Sequence, residues 1–143
     1  MKLKDFDFRI WDNVENKYIE AKSYLCIAKK DNNKDCERIL DVANDCSGYD
    51  DISFNNYTDD RYDIELFTGL CNKNGKKIYE GDILYYFFKN ESYKFKVVFK
   101  EGAFYLIEFD DGGEECDEDL ISEFLLSEME IIGNIHENAK LLK

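Results

Sequence analysis

At 143 residues, 44% hydrophobic and 15% aromatic, the chain can bury one sizeable core or two small ones, and its 11 Phe, 10 Tyr and one Trp exclude disorder despite a net charge of −13. The charge is segregated: from Glu101 to Ala139 there are 13 acidic residues and no Lys or Arg, whereas acids and bases balance over the remaining chain. Such a segment repels phosphate backbones and anionic membranes and attracts basic partners, although a solvated face that serves only solubility has the same composition.

Met1 to Ile10 is charged throughout, unlike a secretory signal, and no apolar run approaches the length of a membrane span. Cys26, Cys36, Cys46, Cys71 and Cys116 are odd in number, widely spaced and form no Cys-x-x-Cys pair. Free thiols in a reducing cytoplasm are therefore expected, without zinc.

Phe6, Phe8 and Ile10 alternate with Asp5, Asp7 and Arg9, the period of a strand with one buried face. A polar reversal over Asp12 to Lys17 leads to a second strand from Tyr18 to Ile27, broken near Ala21 or Lys22. Between Asp31 and Gly48 the residues Cys36, Ile39, Leu40 and Ala43 share a helical face, with Asp35 as cap and Gly48 as stop. This favours a short helix over a strand through Arg38 to Val42. Tyr49 to Arg61 reads as a loop or a short edge strand, and a seam near residue 62 would divide the chain into domains 1–62 and 63–143.

From Leu66 to Leu84 the sequence specifies backbone geometry. Asn74-Gly75 and Gly81-Asp82 mark two tight reversals around a short strand, with a further strand entering from Ile64. Strands follow at Ile83 to Phe88, Tyr93 to Phe99 and Phe104 to Phe109; the middle one alternates aromatic and lysine residues, and the last is apolar on both faces. Short consecutive strands with tight turns predict a small meandering barrel or sandwich. Asp110 to Asp119 then reads as an acidic loop, Leu120 to Leu125 as a short helix started near Asp117 or Asp119, and Glu128 to Ile135 as a closing strand with Gly133 at a bulge or close approach.

Chemistry-bearing patterns are sparse. His136 is the sole histidine, which excludes His-rich metal sites and serine-type triads and reads as a surface or packing residue. The carboxylates Asp110, Asp111, Glu114, Glu115, Asp117, Glu118 and Asp119 could collect a cation, but the ligand register of an EF-hand is absent. Gly75-Lys76-Lys77 lacks the hydroxyl residue and the upstream glycine of a phosphate loop. No metal and no cofactor are expected.

Three blocks, Phe8-Arg9-Ile10-Trp11-Asp12, Thr68 to Leu84 (TGLCNKNGKKIYEGDIL) and Glu130 to Asn138 (EIIGNIHEN), occur in this order across nearly the whole chain. Together they resemble the YopX family of small phage and prophage proteins, with Cys71 where the family usually carries a charge and Ala139 where a proline is common. The resemblance implies a mainly β fold of the α+β kind, with an N-terminal α+β part packed on a C-terminal SH3-like barrel, and it brings no catalytic residues.

The sequence thus leads to a non-enzymatic accessory protein of the host cytoplasm that binds a basic host or phage protein through the seven carboxylates of residues 110 to 119. Two alternatives stand beside it. One is a ligand-binding or weakly catalytic barrel with Tyr79, Glu80 and Asp82 at its rim. The other is nucleic-acid binding through Lys94, Lys96 and Lys100, which the acidic third of the chain opposes.

Overall fold

The computed structural model describes residues 1–20, 24–31, 36–43, 52–55 and 61–143, the three middle ranges as strand backbone. The protein is mainly β. Helical structure among the described residues is limited to α1 (Glu123–Leu126) and two 3₁₀ turns, Leu3–Asp5 and Ala139–Leu142. The chain forms two compact units, one of residues 1–9 with 64–143 and the other of residues 10–63. Both boundaries fall inside strands, β1 (Phe8–Asp12) and β6 (Tyr62–Cys71).

The first unit is built on an antiparallel sheet in the order β11 (Glu115–Leu120), β10 (Ala103–Phe109), β9 (Glu91–Lys100), β8 (Asp82–Phe88), β12 (Glu130–Asn134). Its hairpins are local. Phe88 pairs with Glu91 and Lys100 with Ala103, so two residues make each turn. Both residues of each turn have positive φ, Lys89 (49°) with Asn90 (66°) and Glu101 (52°) with Gly102 (80°). This is the type I′ geometry whose twist matches that of the strands.

One face of the sheet carries the core. Leu84, Phe95, Val97 and Leu106 pack with Ile78, Leu126 and Met129, against which the half-buried Leu70, Tyr86, Tyr93, Phe104, Ile121, Leu125 and Ile131 lie. Alternation along β9 turns Phe95 and Val97 inward and leaves Lys94, Lys96 and Lys100 on the other face. In β10 both Leu106 and Ile107 are buried, consistent with its two apolar faces.

Two expectations for this unit are corrected. The acidic stretch is not a loop throughout: Asp110 to Glu114 form the turn, and Glu115–Leu120 is strand β11, paired with β10 from Phe109↔Glu115 to Tyr105↔Leu120 with a register shift at Cys116. Its main chain pairs with a neighbour while all six side chains are exposed, so no hydrophobic alternation betrays it. Helix α1 starts later than expected, with Ser122 as its cap accepting a hydrogen bond from Leu125 N–H (3.5 Å), because Leu120 belongs to β11.

In the second unit, Trp11 pairs with Tyr18 and Asp12 with Lys17, the second residue of each pair belonging to β2 (Lys17–Tyr18). The Trp11 and Tyr18 rings meet edge-on at 5.0 Å. A second sheet has the order β3 (Tyr24–Asp31), β4 (Cys36–Ala43), β5 (Ile52–Asn55). The helix expected around residues 35–47 is thereby overturned. β4 pairs with β3 from Asp31↔Cys36 to Tyr24↔Ala43 and with β5 from Ile39↔Asn55 to Val42↔Ile52. Pairing on both sides satisfies its backbone non-locally, which outweighs a helical periodicity of barely two turns. The supposed cap Asp35, the stop Gly48 and the break at residues 21–22 lie outside the described residues.

The corner after β1 is held by Asp12, a carboxylate only 4% exposed. Arg61 grips it with two bonds, Nε to Oδ1 (3.0 Å) and Nη2 to Oδ2 (2.7 Å), while Val14 N–H (2.9 Å) and Glu15 N–H (3.1 Å) donate to Oδ1. Hydrogen bonding from Arg61, with the two backbone donors, outweighs burial and pulls the Asp12 carboxyl down to about 2. Because the folded value lies below the unfolded one, the stabilisation is complete above about pH 4 and fades as pH falls toward 2, a contribution of about 1–2 kcal/mol. Denaturant titrations across this range should show wild-type protein losing that increment, whereas Asp12→Asn starts lower and is correspondingly flatter with pH.

Candidate functional site

Within the first unit the most heavily determined polar cluster gathers around Arg9 on β1. Its guanidinium bonds Glu65 of β6 through Nε, and through Nη2 it bonds Asp82 Oδ1 of β8 (2.6 Å) and the Glu80 carbonyl (3.2 Å). Both carboxylate side chains are almost fully buried, Glu65 at 4% and Asp82 at 3% exposure. His136, just after β12, sets Nε2 at 2.9 Å from Glu65 Oε1. Asp82 Oδ2 accepts the Tyr79 N–H (2.9 Å). Burial pushes the Asp82 carboxyl up, and Arg9 pulls against it.

A second tier surrounds this one. The Arg9 guanidinium lies over the Tyr79 ring of β7 (Lys77–Tyr79), 4.9 Å from its centroid. Tyr79 Oη donates to Asp7 Oδ2 (2.6 Å), which also receives Lys77 Nζ (2.7 Å). Burial and this bond together raise the Tyr79 phenol. Burial acts upward on Asp7 as well, yet the Lys77, Tyr79 and Phe8 N–H donors hold it below the usual carboxylate range.

The glycine corner makes this convergence possible. Gly81 adopts φ +79°, and a Cβ there would lie 2.5 Å from Glu65 Oε1. Its N–H donates to the Val97 carbonyl (2.9 Å) and its carbonyl accepts from Ile135 N–H (2.9 Å), joining β9 to the segment after β12. The Asn74-Gly75 reversal is organised by Asn72, whose Oδ1 accepts the N–H groups of Asn74 (3.0 Å) and Lys76 (2.9 Å). Gly133 fulfils both expectations for it: the β12 register shifts beside it, and a Cβ would sit 2.5 Å from Asn138 Oδ1.

Tyr79, Glu80 and Asp82, the expected rim of a ligand site, are thus brought together, but the Tyr79 hydroxyl is engaged with Asp7, and the Glu80 carbonyl and the Asp82 carboxylate with Arg9. Sequence reasoning missed Arg9 and Glu65 as members. Glu65 is 3% exposed while its neighbour Ile64 is 46% exposed, the reverse of hydropathic expectation. The available signal was location: Arg9, the Tyr79-to-Asp82 corner and His136 fall in the three separate sequence blocks noted above. Among the described residues, no group of three or more His, Cys, Asp or Glu side chains could hold a metal ion.

The acidic candidates occupy a different place. Asp110 Oδ1 accepts the N–H groups of Gly112 (2.8 Å) and Glu114 (2.9 Å), closing the turn into β11. Asp110, Asp111, Glu114, Glu115, Asp117, Glu118 and Asp119 are all exposed. The sequence-level segregation is softened in space. Glu115 meets Lys96 (3.4 Å) and Glu118 meets Lys100, and the same ammonium groups lie 5.2 Å from the Phe109 and Tyr105 ring centroids. The lysine face is therefore laced to the acidic strand. No helix among the described residues is long and apolar enough to cross a membrane.

The family model for YopX protein matches residues 7–143, nearly the entire chain. The chain belongs to the YopX family. No curated protein matches it. Among solved structures it is similar to protein EF1440 from Enterococcus faecalis, with a TM-score of 0.60 and 24% identity over 96% of this chain and 98% of that one. It is also similar to protein yopX from Bacillus subtilis, with a TM-score of 0.59 and 19% identity over 95% and 97% of the two chains. At these identities the likeness concerns the fold. Arg9 and Asp82 lie in the first two of the blocks that carry the YopX resemblance, and His136 of the third joins them through Glu65, which lies outside the blocks.

Arg9→Met should cost about 3–5 kcal/mol in urea unfolding, because it strands two buried carboxylates, and adding Glu65→Gln with Asp82→Asn should recover part of the loss. An unshifted midpoint for the single variant would contradict the network's role. Gly81→Ala should cost about 2–4 kcal/mol, combining backbone strain with displacement of Glu65, as read by the same titration.

Proposed function

We propose that this YopX-family chain is a non-enzymatic phage or prophage accessory protein that works by binding a basic protein of the host or phage. The acidic surface of Asp110, Asp111, Glu114, Glu115, Asp117, Glu118 and Asp119 is the binding element. By covering the basic surface of a nucleic-acid-binding or defence factor, it competes with nucleic acid for that factor. The observation that carries the reading is that β11, rich in carboxylates, exposes all six of its side chains at the end of its sheet. Ion pairs of Glu115 and Glu118 with Lys96 and Lys100 fix part of the array in place, which lowers the cost of presenting it to a partner. The consecutive hairpins of β8 to β11 support reading residues 63–143 as an SH3-like barrel that serves as the scaffold.

Affinity capture from host cells at low and high salt tests the reading. A basic protein should be retained at low salt, released at high salt, and lost from a variant with Glu114, Glu115, Asp117, Glu118 and Asp119 changed to their amides. Equal retention by the variant, with unchanged salt sensitivity, would refute it.

A further inference from the structure

The turn that leads into the acidic strand is covered by another part of the same chain. Gly113 has φ +80°, and a Cβ there would stand 2.7 Å from the Leu142 carbonyl oxygen and 2.9 Å from Lys143 Cα. The backbone of residues 142–143 therefore lies directly on Gly113, and glycine there is required both for conformation and for space. The covering segment is compact: Ala139–Leu142 forms a 3₁₀ turn, with Leu141 N–H bonded to the Asn138 carbonyl (2.8 Å). Asn138 is itself anchored, its Oδ1 accepting Asn134 N–H (3.2 Å).

Charge completes the picture. After Lys100 the sequence has no Lys or Arg until Lys140 and Lys143, and both lie on the segment that touches the acidic turn. The contact itself is main chain on main chain, and the segment that makes it is basic in composition where the turn is acidic, the same pairing of charges as assigned above to an external partner.

We infer that residues 139–143 are an intramolecular strap on the acidic turn, which a basic polypeptide segment must displace to bind there. This rests on the acidic-surface reading. The strap competes in two ways: its backbone excludes another chain from Gly113, and its lysines offset the local negative potential that would draw a basic partner in. Tethered to β12 by the short connection through Asn138, it has a high effective concentration, so the displacing segment must be strongly basic.

The test uses the full chain, a variant lacking residues 139–143, Lys140→Gln/Lys143→Gln, which keeps the packing and removes the charge, and Gly113→Ala, which opposes the packing and keeps the charge. Amide exchange reads the strap without any partner. Exchange at Gly113 and Glu114 should rise in the truncated chain and in Gly113→Ala, with protection of β9 and β10 retained. Oligolysine titrated at low salt, followed by calorimetry, reads the competition, and the truncated chain should bind it severalfold more tightly than wild type, with the lysine variant in between. Unchanged exchange at the turn after truncation overturns the strap. Equal oligolysine affinity for wild-type and truncated chains overturns the competition while leaving the acidic-surface reading standing. Binding to neither chain removes that reading, and with it the competition, even where exchange shows the strap detaching.

Discussion

A single guanidinium shared by two buried carboxylates is the interaction on which the larger unit depends. Arg9 reaches Glu65 and Asp82 from a different strand, and each partner belongs to a strand of its own, so one side chain fixes the relation of β1, β6 and β8. Burying such charges is costly unless every one is paired and hydrogen-bonded, and the cluster meets that demand with Tyr79, His136 and main-chain groups. What ions contribute here is uniqueness more than bulk stability, since an apolar contact would tolerate sliding and this fork does not. Gly81 is needed for the same reason: the carboxylate of Glu65 occupies the space its side chain would fill.

The surface electrostatics follow from the sheet. The strand β11 that ends it carries carboxylates on its exposed side chains, a composition that discourages edge-to-edge pairing between like chains. Asp117 adds to this locally, its Oδ1 accepting the N–H of Glu118 (2.8 Å) and so occupying a main-chain donor. Two of these carboxylates, Glu115 and Glu118, also pair with Lys96 and Lys100 of β9.

How much of this was legible in the sequence depends on whether the determining contacts are local. The strands from Ile83 to Phe109 were readable because each is a short run rich in aromatic and aliphatic residues, alternating in the middle one, and each is joined to the next by a two-residue turn. Tyr24 to Asp31 and Cys36 to Ala43 were only half readable: the first shows as a strand, but the second takes its state from neighbours on both sides, and four apolar residues happen to fit a helical face. Glu115 to Leu120 was unreadable as a strand, because pairing is a property of its main chain and its side chains bear no pattern. Glu65 was hidden for the opposite reason: a carboxylate between Ile64 and Leu66 looks solvated until Arg9 and His136 are seen to meet it. The three blocks noted in the sequence were the one trace of that cluster, and they contain Arg9, Asp82 and His136 but not Glu65.

The Arg9–Glu65 pair also has a consequence for how the chain is assembled. The two residues are 56 positions apart in sequence, and nearly all of the intervening chain belongs to the second unit. That unit is thus an insertion whose entry and exit are stapled by one ion pair. Loop closure becomes only about 0.6 kcal/mol harder each time a flexible loop doubles in length, so the staple is almost indifferent to the size of what it encloses. Because entry and exit both lie within strands, β1 and β6, the pair marks where residues 10–63 leave and rejoin the first unit.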